Sequence, residues 1–169
     1  DVLDIASGDG LMAEMLAPHS RRYLCIDASP KVIAAARDRL SKYAHVELRE
    51  GDMHAIECAD SSFDLALLMH ALTYAEKPAK AIAEAARALR PGGRLLATCL
   101  AKHEHQTVVE AYGHLNLGFT EKELRKLAEK AGLEVRVCEV VAKEKRPPHF
   151  EVISLIAHKP GASTERKRA

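Results

Sequence analysis

Short apolar segments alternate with amphipathic segments along most of this chain, and the two kinds differ in period. The apolar segments predict buried β-strands, whereas the amphipathic ones repeat apolar residues at helical spacing. The predicted strands are 1–5, 22–26, 45–49, 63–69 and 94–100. The predicted helices are 10–17, 30–40, 78–90, 103–114 and 121–131. Because strands and helices alternate, we predict a doubly wound, mostly parallel α/β sheet.

Two further β-rich segments, 133–141 and 150–157, follow the last predicted helix. The loop between them contains Pro147-Pro148 and is too short for a crossover helix, so the two strands should pair antiparallel. Thr120 and Glu123 match a capping box at the start of the preceding helix. We therefore predict one Rossmann-like domain over residues 1–159, with seven strands of which the final one is antiparallel. A disordered basic tail is predicted over 160–169.

Composition narrows the classes of protein that the chain can belong to. Its 169 residues carry a net charge of +1, which gives no global attraction to nucleic acid or acidic membranes. No apolar segment approaches the roughly 20 residues of a membrane span, and no signal peptide is visible. The four cysteines lie far apart without a CxxC pair, which favours reduced thiols and a cytoplasmic location. The chain begins inside its first strand without Met, so we expect a domain of a longer protein.

The segment after the first strand is the strongest candidate for a binding site. Strand, glycine-rich turn and helix follow one another around Gly8 and Gly10, as in nucleotide-binding corners. Asp27 follows 19 residues after Gly8, where a carboxylate can accept hydrogen bonds from ribose hydroxyls or, alternatively, cap the next helix. The glycine spacing also matches a dinucleotide pattern, so an NAD-dependent oxidoreductase is one alternative.

Two acidic positions count against a dinucleotide. Asp4 precedes the turn, where its carboxylate would repel a pyrophosphate but attract an ammonium group. Asp52 follows the third strand, where an acidic loop can meet an adenine amino group. An amine-bearing adenosine ligand without phosphates suits both acids better than NAD does.

Five segments in this order resemble the class I S-adenosylmethionine-dependent methyltransferases, over essentially the whole chain. They are VLDIASGDG at 2–10, IDAS at 26–29, EGDM at 50–53, SFDL at 62–65 and LRPGGRL at 89–95. Ala6 departs from the family pattern, which usually has glycine there. The resemblance implies S-adenosyl-L-methionine as cofactor.

The resemblance also implies the residues that would bind this cofactor. Residues 6–10 would hold the methionine part, with Asp4 near its amino group, Asp27 on the ribose and Asp52 on the adenine. Met69 and His70 would face the sulfonium and the methyl acceptor. The predicted cofactor-binding residues are Asp4, Ala6, Ser7, Gly8, Gly10, Asp27, Ala28, Gly51, Asp52, Met53, Met69 and His70.

A narrower resemblance concerns residues 103–119. This segment resembles methyltransferase-like domains that are fused behind an ArsR-type winged-helix regulator in bacteria. In such fusions the DNA-binding part comes first, so this chain itself would not contact nucleic acid. The alternative function is then a sensor of S-adenosylmethionine or S-adenosylhomocysteine in a transcriptional regulator.

Histidines and tyrosines supply the candidate catalytic groups. His70, Tyr74 and His114 are predicted to lie at the edge of the sheet where ligands bind, and imidazole is the natural base near neutral pH. Each could equally be a polar rim residue, because methyl transfer depends mainly on placement. His103, His105 and His114 could form a metal site. Two histidines spaced like His103 and His105 often occur by chance, and we predict no metal.

The resulting prediction is an enzyme, a cytoplasmic methyltransferase that acts on a small-molecule acceptor. No membrane partner is expected. The oligomeric state is left open, with a homodimer as one alternative.

Overall fold

The computed structural model describes residues 1–161 and shows a single seven-stranded sheet in that part of the chain. The strands are β1 (Val2–Ile5), β2 (Tyr23–Asp27), β3 (Val46–Glu50), β4 (Phe63–Met69), β5 (Leu89–Leu100), β6 (Glu134–Lys143) and β7 (Glu151–His158). The helices are α1 (Leu11–Leu16), α2 (Pro30–Leu40), α3 (Pro78–Ala88), α4 (Gln106–Glu110) and α5 (Glu121–Lys130). Short 3-10 helices lie at Ala17–His19 and Ala71–Tyr74.

The strand order places a topological switch point next to β1. The order is β3-β2-β1-β4-β5-β7-β6, so the chain first builds outward through β2 and β3 and then returns to the other side of β1. These first five strands are parallel, and β7 is antiparallel to both β5 and β6. Ligands bind outside the carboxyl ends of the strands at such a point. The predicted fold class is confirmed.

The two faces of the sheet are buried against different helices. On one face Leu3 and Ile5 belong to a core cluster with Ile82 of α3 and Leu124 of α5. On the other face Tyr23 packs in a cluster with Leu40 of α2. A fully buried aliphatic side chain contributes roughly 1.5–3 kcal/mol. The buried strands therefore hold in place the loops that follow their carboxyl ends.

Two elements differ from their predictions. The predicted turn around Gly92 lies inside β5, which begins at Leu89 and bulges, since Phe63 pairs with Leu89 and Leu65 with Arg94. The helix predicted over 103–114 is restricted to α4, because Gly113 has a positive φ of 71° and the chain leaves the helical conformation there.

The remaining predictions about the chain concern its local features. The capping box of Thr120 and Glu123 is present at the start of α5. Cys25, Cys99 and Cys138 are buried free thiols, and Cys58 is partly exposed. No helix within residues 1–161 is long and apolar enough to cross a bilayer. The predicted basic tail lies, from residue 162 onward, outside the described residues.

Candidate active site

A cavity of about 730 Å³ opens where β1, β2, β3 and β4 end. Its volume falls within the range of pockets that hold cofactors, roughly 300–1,000 Å³. Nine of the predicted cofactor-binding residues line it: Ala6, Gly8, Asp27, Ala28, Gly51, Asp52, Met53, Met69 and His70. The sheet topology thus brings together residues that are widely separated in the sequence.

The carboxylate of Asp27 is held by the backbone on both of its oxygens. Oδ2 accepts a hydrogen bond from the N–H of Gly8 at 3.0 Å, and Oδ1 accepts one from the N–H of Ser29 at 3.0 Å. Each carboxylate oxygen has a second lone pair, so Asp27 can still accept bonds from a ligand. The group therefore joins the glycine turn to the start of α2, and its position at the cavity is fixed by these two bonds.

The turn between β1 and α1 has an unusual backbone. Ala6, Gly8 and Gly10 all have positive φ, at 54°, 58° and 81°. A Cβ on Gly10 would lie 2.7 Å from Cδ1 of Leu40, so the turn needs glycine there to approach α2. A Cβ on Gly8 would meet no atom within 4 Å, and Gly8 lines the cavity. Ser7 and Gly10 do not line the cavity. Gly10 instead lets the turn pack against Leu40 of α2.

Asp4 lies behind the cavity, in the interior of the sheet. Its side chain is buried and accepts a hydrogen bond from Oη of Tyr23 at 3.0 Å. Desolvation raises the pKa of Asp4 to about 7, against the lowering effect of the Tyr23 hydrogen bond. Asp4 does not line the cavity. Its contact with the cofactor amino group stays a prediction.

Asp52 stands at the opposite rim, after β3. Its Oδ1 accepts bonds from the backbone N–H of His54 at 2.8 Å and lies 2.7 Å from Nδ1 of the same residue. These contacts, the backbone bond above all, lower the pKa of Asp52, so the carboxylate is ionised near neutral pH. Nε2 of His54 accepts the N–H of Lys77, which links this rim to the start of α3.

A second cavity of about 460 Å³ adjoins the first at His70 and Tyr74, which line both. His114 lines the second cavity, and its ring meets the ring of Tyr74 edge-on with centroids 5.3 Å apart. The three predicted catalytic residues are therefore neighbours at the junction of two cavities. Their assignment as catalytic residues stays a prediction.

Both imidazoles at this junction favour the neutral form. Desolvation lowers the pKa of both His114 and His70, and a proton on His114 lowers the pKa of His70 further. The side chain of His70 is exposed at the two cavities. The protein around it still removes enough water to disfavour the charged imidazolium. A neutral imidazole can accept a proton, whereas a protonated one cannot.

Sequence reasoning missed several residues that line the first cavity: Val32, His54, Ala71, Glu76 and Leu115. Leu115 comes from the loop after α4. This loop is bound to the 3-10 helix Ala71–Tyr74, since the N–H of Leu115 donates to the carbonyl of Thr73 at 3.0 Å. Nothing in the local sequence signals this long-range contact. His54 carried a weak signal, since it directly follows the segment that resembles the family motif.

The residues at the first cavity fit an adenosine cofactor that carries an amine. Asp27 and Asp52 offer carboxylates at two separate places, and Gly8 leaves open space on the turn. Among the described residues that line this cavity there is no Lys or Arg, so a pyrophosphate would find no cationic side chain. The side chains of this cavity therefore favour a ligand without phosphates.

The histidines at 103 and 105 line neither of these two cavities. Their rings stack with centroids 5.8 Å apart, and they line a separate small cavity with Phe150. Within residues 1–161 no three His, Cys, Asp or Glu side chains come together as metal ligands.

Residues 3–97 match the family model described as a methyltransferase domain. The chain therefore belongs to the methyltransferase domain family, within the class I methyltransferase fold. Membership implies S-adenosyl-L-methionine as the cofactor, in agreement with the sequence prediction.

The particular relatives include a named methyltransferase and an uncharacterised protein. The chain is 39% identical over 98 residues to an uncharacterised 37.1 kDa protein in transposon TN4556 of Streptomyces fradiae, covering 56% of this chain and 28% of that protein. It is 30% identical over 126 residues to the demethylmenaquinone methyltransferase of Renibacterium salmoninarum, covering 75% of this chain and 49% of that enzyme. The chain thus spans half or less of these relatives.

The solved structures agree on the fold. A SAM-dependent methyltransferase from Methanosarcina mazei superimposes with a TM-score of 0.79 at 21% identity, covering 95% of this chain and 92% of that one. One from Mesorhizobium loti gives 0.79 at 18% identity, covering 93% and 89%. The ArsR-type resemblance is not shown by these comparisons, and both it and the sensor role stay predictions.

Proposed function

We propose that this chain binds S-adenosyl-L-methionine in the first cavity and transfers its methyl group to a small-molecule acceptor. The observation that carries the proposal is the fixed carboxylate of Asp27, at the end of β2 beside the switch point. When bound, the cofactor supplies an electrophilic methyl group on a sulfonium. The chain supplies placement, which is the main requirement of such a transfer.

The roles of the side chains follow from where they lie. Asp27 would accept the ribose hydroxyls, and Asp52 would accept the adenine amino group. Met53 is half-buried against the core and lines the same cavity, so it would form an apolar wall for the adenine. Met69 and His70, at the end of β4, would lie toward the reacting methyl group.

The acceptor is proposed to be small for two reasons. The second cavity has a volume of about 460 Å³ and lies directly beside the first, with His70 and Tyr74 lining both. The chain as a whole carries a net charge of only +1, which gives a nucleic-acid substrate little electrostatic attraction. Both observations favour an acceptor that enters the cavity whole.

Calorimetric titration of the chain with S-adenosyl-L-methionine tests the proposal. We expect Asp27→Ala to weaken binding by roughly 1.5–3 kcal/mol, since hydrogen bonds to a charged group are lost. Glu57→Ala, which removes an exposed carboxylate outside the cavity, is the matched control and should bind as the parent does. Thermal unfolding of both variants checks that the loss is not a loss of fold.

Either of two results would contradict the proposal. One is the absence of calorimetric binding by the folded parent chain. The other is unchanged affinity in Asp27→Ala, which would remove the ribose assignment and with it the observation that carries the proposal.

A further inference from the structure

The second cavity has a chemistry that the cofactor does not explain. Its walls carry three aromatic rings, Tyr74, Tyr112 and Phe150, together with the imidazoles of His70 and His114. Among the described residues that line it there is no Lys or Arg, and its one carboxylate is that of Glu144. Such a lining suits a flat, uncharged ring and offers no partner to an acid.

Exposed apolar groups surround the mouth of this cavity. The exposed fractions are 47% for Tyr74, 70% for Tyr112 and 42% for Val108. Large apolar side chains clustered at a surface mark a place where a ligand or partner removes them from water. A ring bound between Tyr74 and Tyr112 would cover part of this surface.

Two residues that line the cavity each have a buried polar atom without a partner among the described residues. Oγ1 of Thr73 and Nδ1 of His114 are buried without a hydrogen bond to any described residue. Buried polar atoms that stay unpaired are unfavourable by about 1–3 kcal/mol each. They therefore favour a ligand that carries a polar substituent on its apolar body.

We propose that the second cavity binds the methyl acceptor, that this acceptor is an aromatic compound with a ring hydroxyl, and that His70 removes the hydroxyl proton. This inference rests on the proposed function. His70 is suited to the role because it lines both cavities and so stands between the cofactor and the acceptor. An aromatic hydroxyl has a pKa near 10, as in tyrosine, and loses its proton far more readily than an aliphatic alcohol does.

The transfer balances in atoms and electrons. The hydroxyl oxygen forms a bond to the methyl carbon, while the bond between that carbon and the sulfonium sulfur breaks and leaves its electron pair on sulfur as a thioether. The hydroxyl proton passes to a ring nitrogen of His70 and later to solvent. No oxidant or reductant is needed.

His114 is assigned as a positioning residue. Its ring meets the ring of Tyr74 edge-on, with the centroids 5.3 Å apart. The other titratable groups that face His70 across the two cavities are Tyr74, Tyr112, Glu144, Asp27, Asp52, His54 and Glu76. The charge of Glu144 raises the pKa of His70.

The first experiment measures binding to the full chain loaded with S-adenosyl-L-homocysteine. Three probes share one ring and differ in the reacting group: 4-methylphenol, 4-methylaniline and 4-methylbenzoate. We expect calorimetric binding in the order phenol, then aniline, with the benzoate weakest because no cationic side chain meets it. Methyl transfer from labelled S-adenosyl-L-methionine should occur to the phenol oxygen.

The second experiment follows the rate of transfer to 4-methylphenol against pH. His70→Gln should lower the rate by about 10²-fold or more and remove the acidic limb of the profile. His114→Gln removes the edge-on contact with Tyr74 and should raise the KM for 4-methylphenol more than it lowers kcat. His19→Gln, exposed and outside both cavities, should behave as the parent.

The outcomes separate this inference from the proposed function. If the chain binds no S-adenosyl-L-homocysteine, both proposals fall. If it binds this compound but prefers the aniline or the benzoate, or binds none of the probes, only the inference is overturned. A His70→Gln variant with the parental rate and pH profile also overturns it.

Discussion

Oη of Tyr23 on β2 donates a hydrogen bond of 3.0 Å to Oδ2 of Asp4 on β1, and both side chains are buried. Tyr23 is fully buried and Asp4 is 1% exposed. Burial raises the pKa of the tyrosine, so its phenol stays protonated and continues to donate. The pair places an acid with a pKa of about 7 in the middle of the parallel sheet.

This pair predicts a pH-dependent stability. The pKa of Asp4 is 3.8 in an ordinary environment and about 7 in the fold, so between these values the folded state binds more protons than the unfolded state. The free energy of unfolding therefore falls as pH rises through that window. Asp4→Asn cannot ionise and keeps an oxygen that accepts from Tyr23. We expect it to be more stable than the parent by about 1–3 kcal/mol near pH 8.

Urea unfolding at about pH 5 and pH 8 measures this effect. The advantage of Asp4→Asn should shrink at the lower pH, where the parent carries the proton. Tyr23→Phe is the complementary variant, since it keeps the acid and removes its donor, and it should lose stability most at the higher pH. An Asp4→Asn variant with the same pH dependence as the parent would show that Asp4 does not titrate in this window.

The fold was largely predictable because its signals are local. Buried strands such as Phe63–Met69 and the capping box of Thr120 and Glu123 follow from residue order alone. The bulge around Gly92 was not predictable, because it depends on how β5 pairs with β4, which is a separate segment of the sequence. A glycine-rich segment predicts a turn equally well.

The candidate site shows the same limit. Asp27 and Asp52 were predictable because strand ends and acidic loops are visible in the sequence, and both line the first cavity. The orientation of Asp4 was not, because alternation along β1 decides which face of the sheet a side chain meets. Leu115 was missed because a backbone contact with Thr73 brings its loop over the cavity.

The left-handed backbone of Ala6 leads to a second prediction. Its φ is 54°, a conformation that costs an L-residue roughly 1–2 kcal/mol and glycine almost nothing. Part of the gain from glycine is offset by the greater freedom that glycine gives the unfolded chain. We therefore expect Ala6→Gly to raise the free energy of unfolding by about 0.5–1 kcal/mol, as measured by thermal unfolding with calorimetry.

Ser61 offers a matched control for Ala6. It has a similar φ of 52° in an exposed position and does not line the first cavity. Ser61→Gly should gain a similar stability and leave binding of S-adenosyl-L-methionine unchanged, whereas Ala6→Gly alters the cavity wall and should change that affinity as well. Loss of stability in both variants would contradict the assignment of backbone strain at these positions.

Asn116 fastens the loop after α4 to the 3-10 helix Ala71–Tyr74. Its Nδ2 donates to the carbonyl oxygens of Leu72 at 3.0 Å and Ala75 at 2.8 Å. Because Tyr74 lies between these two carbonyls in the chain and lines both cavities, the amide holds part of the junction in place. Two carbonyl acceptors require a donor, which fixes the orientation of the amide.

The third prediction follows from this contact. Asn116→Ala removes both bonds and should lower the free energy of unfolding by about 1–2 kcal/mol. Asn116→Asp should lower it further near pH 7, since a carboxylate would face two carbonyl oxygens. Hydrogen exchange of the Ala75 amide, which donates to Leu72 within the 3-10 helix, should become faster in both variants. Gln106→Ala, on the exposed side of α4, is the control and should change neither quantity. Unchanged exchange in Asn116→Asp would show that the amide does not hold this helix.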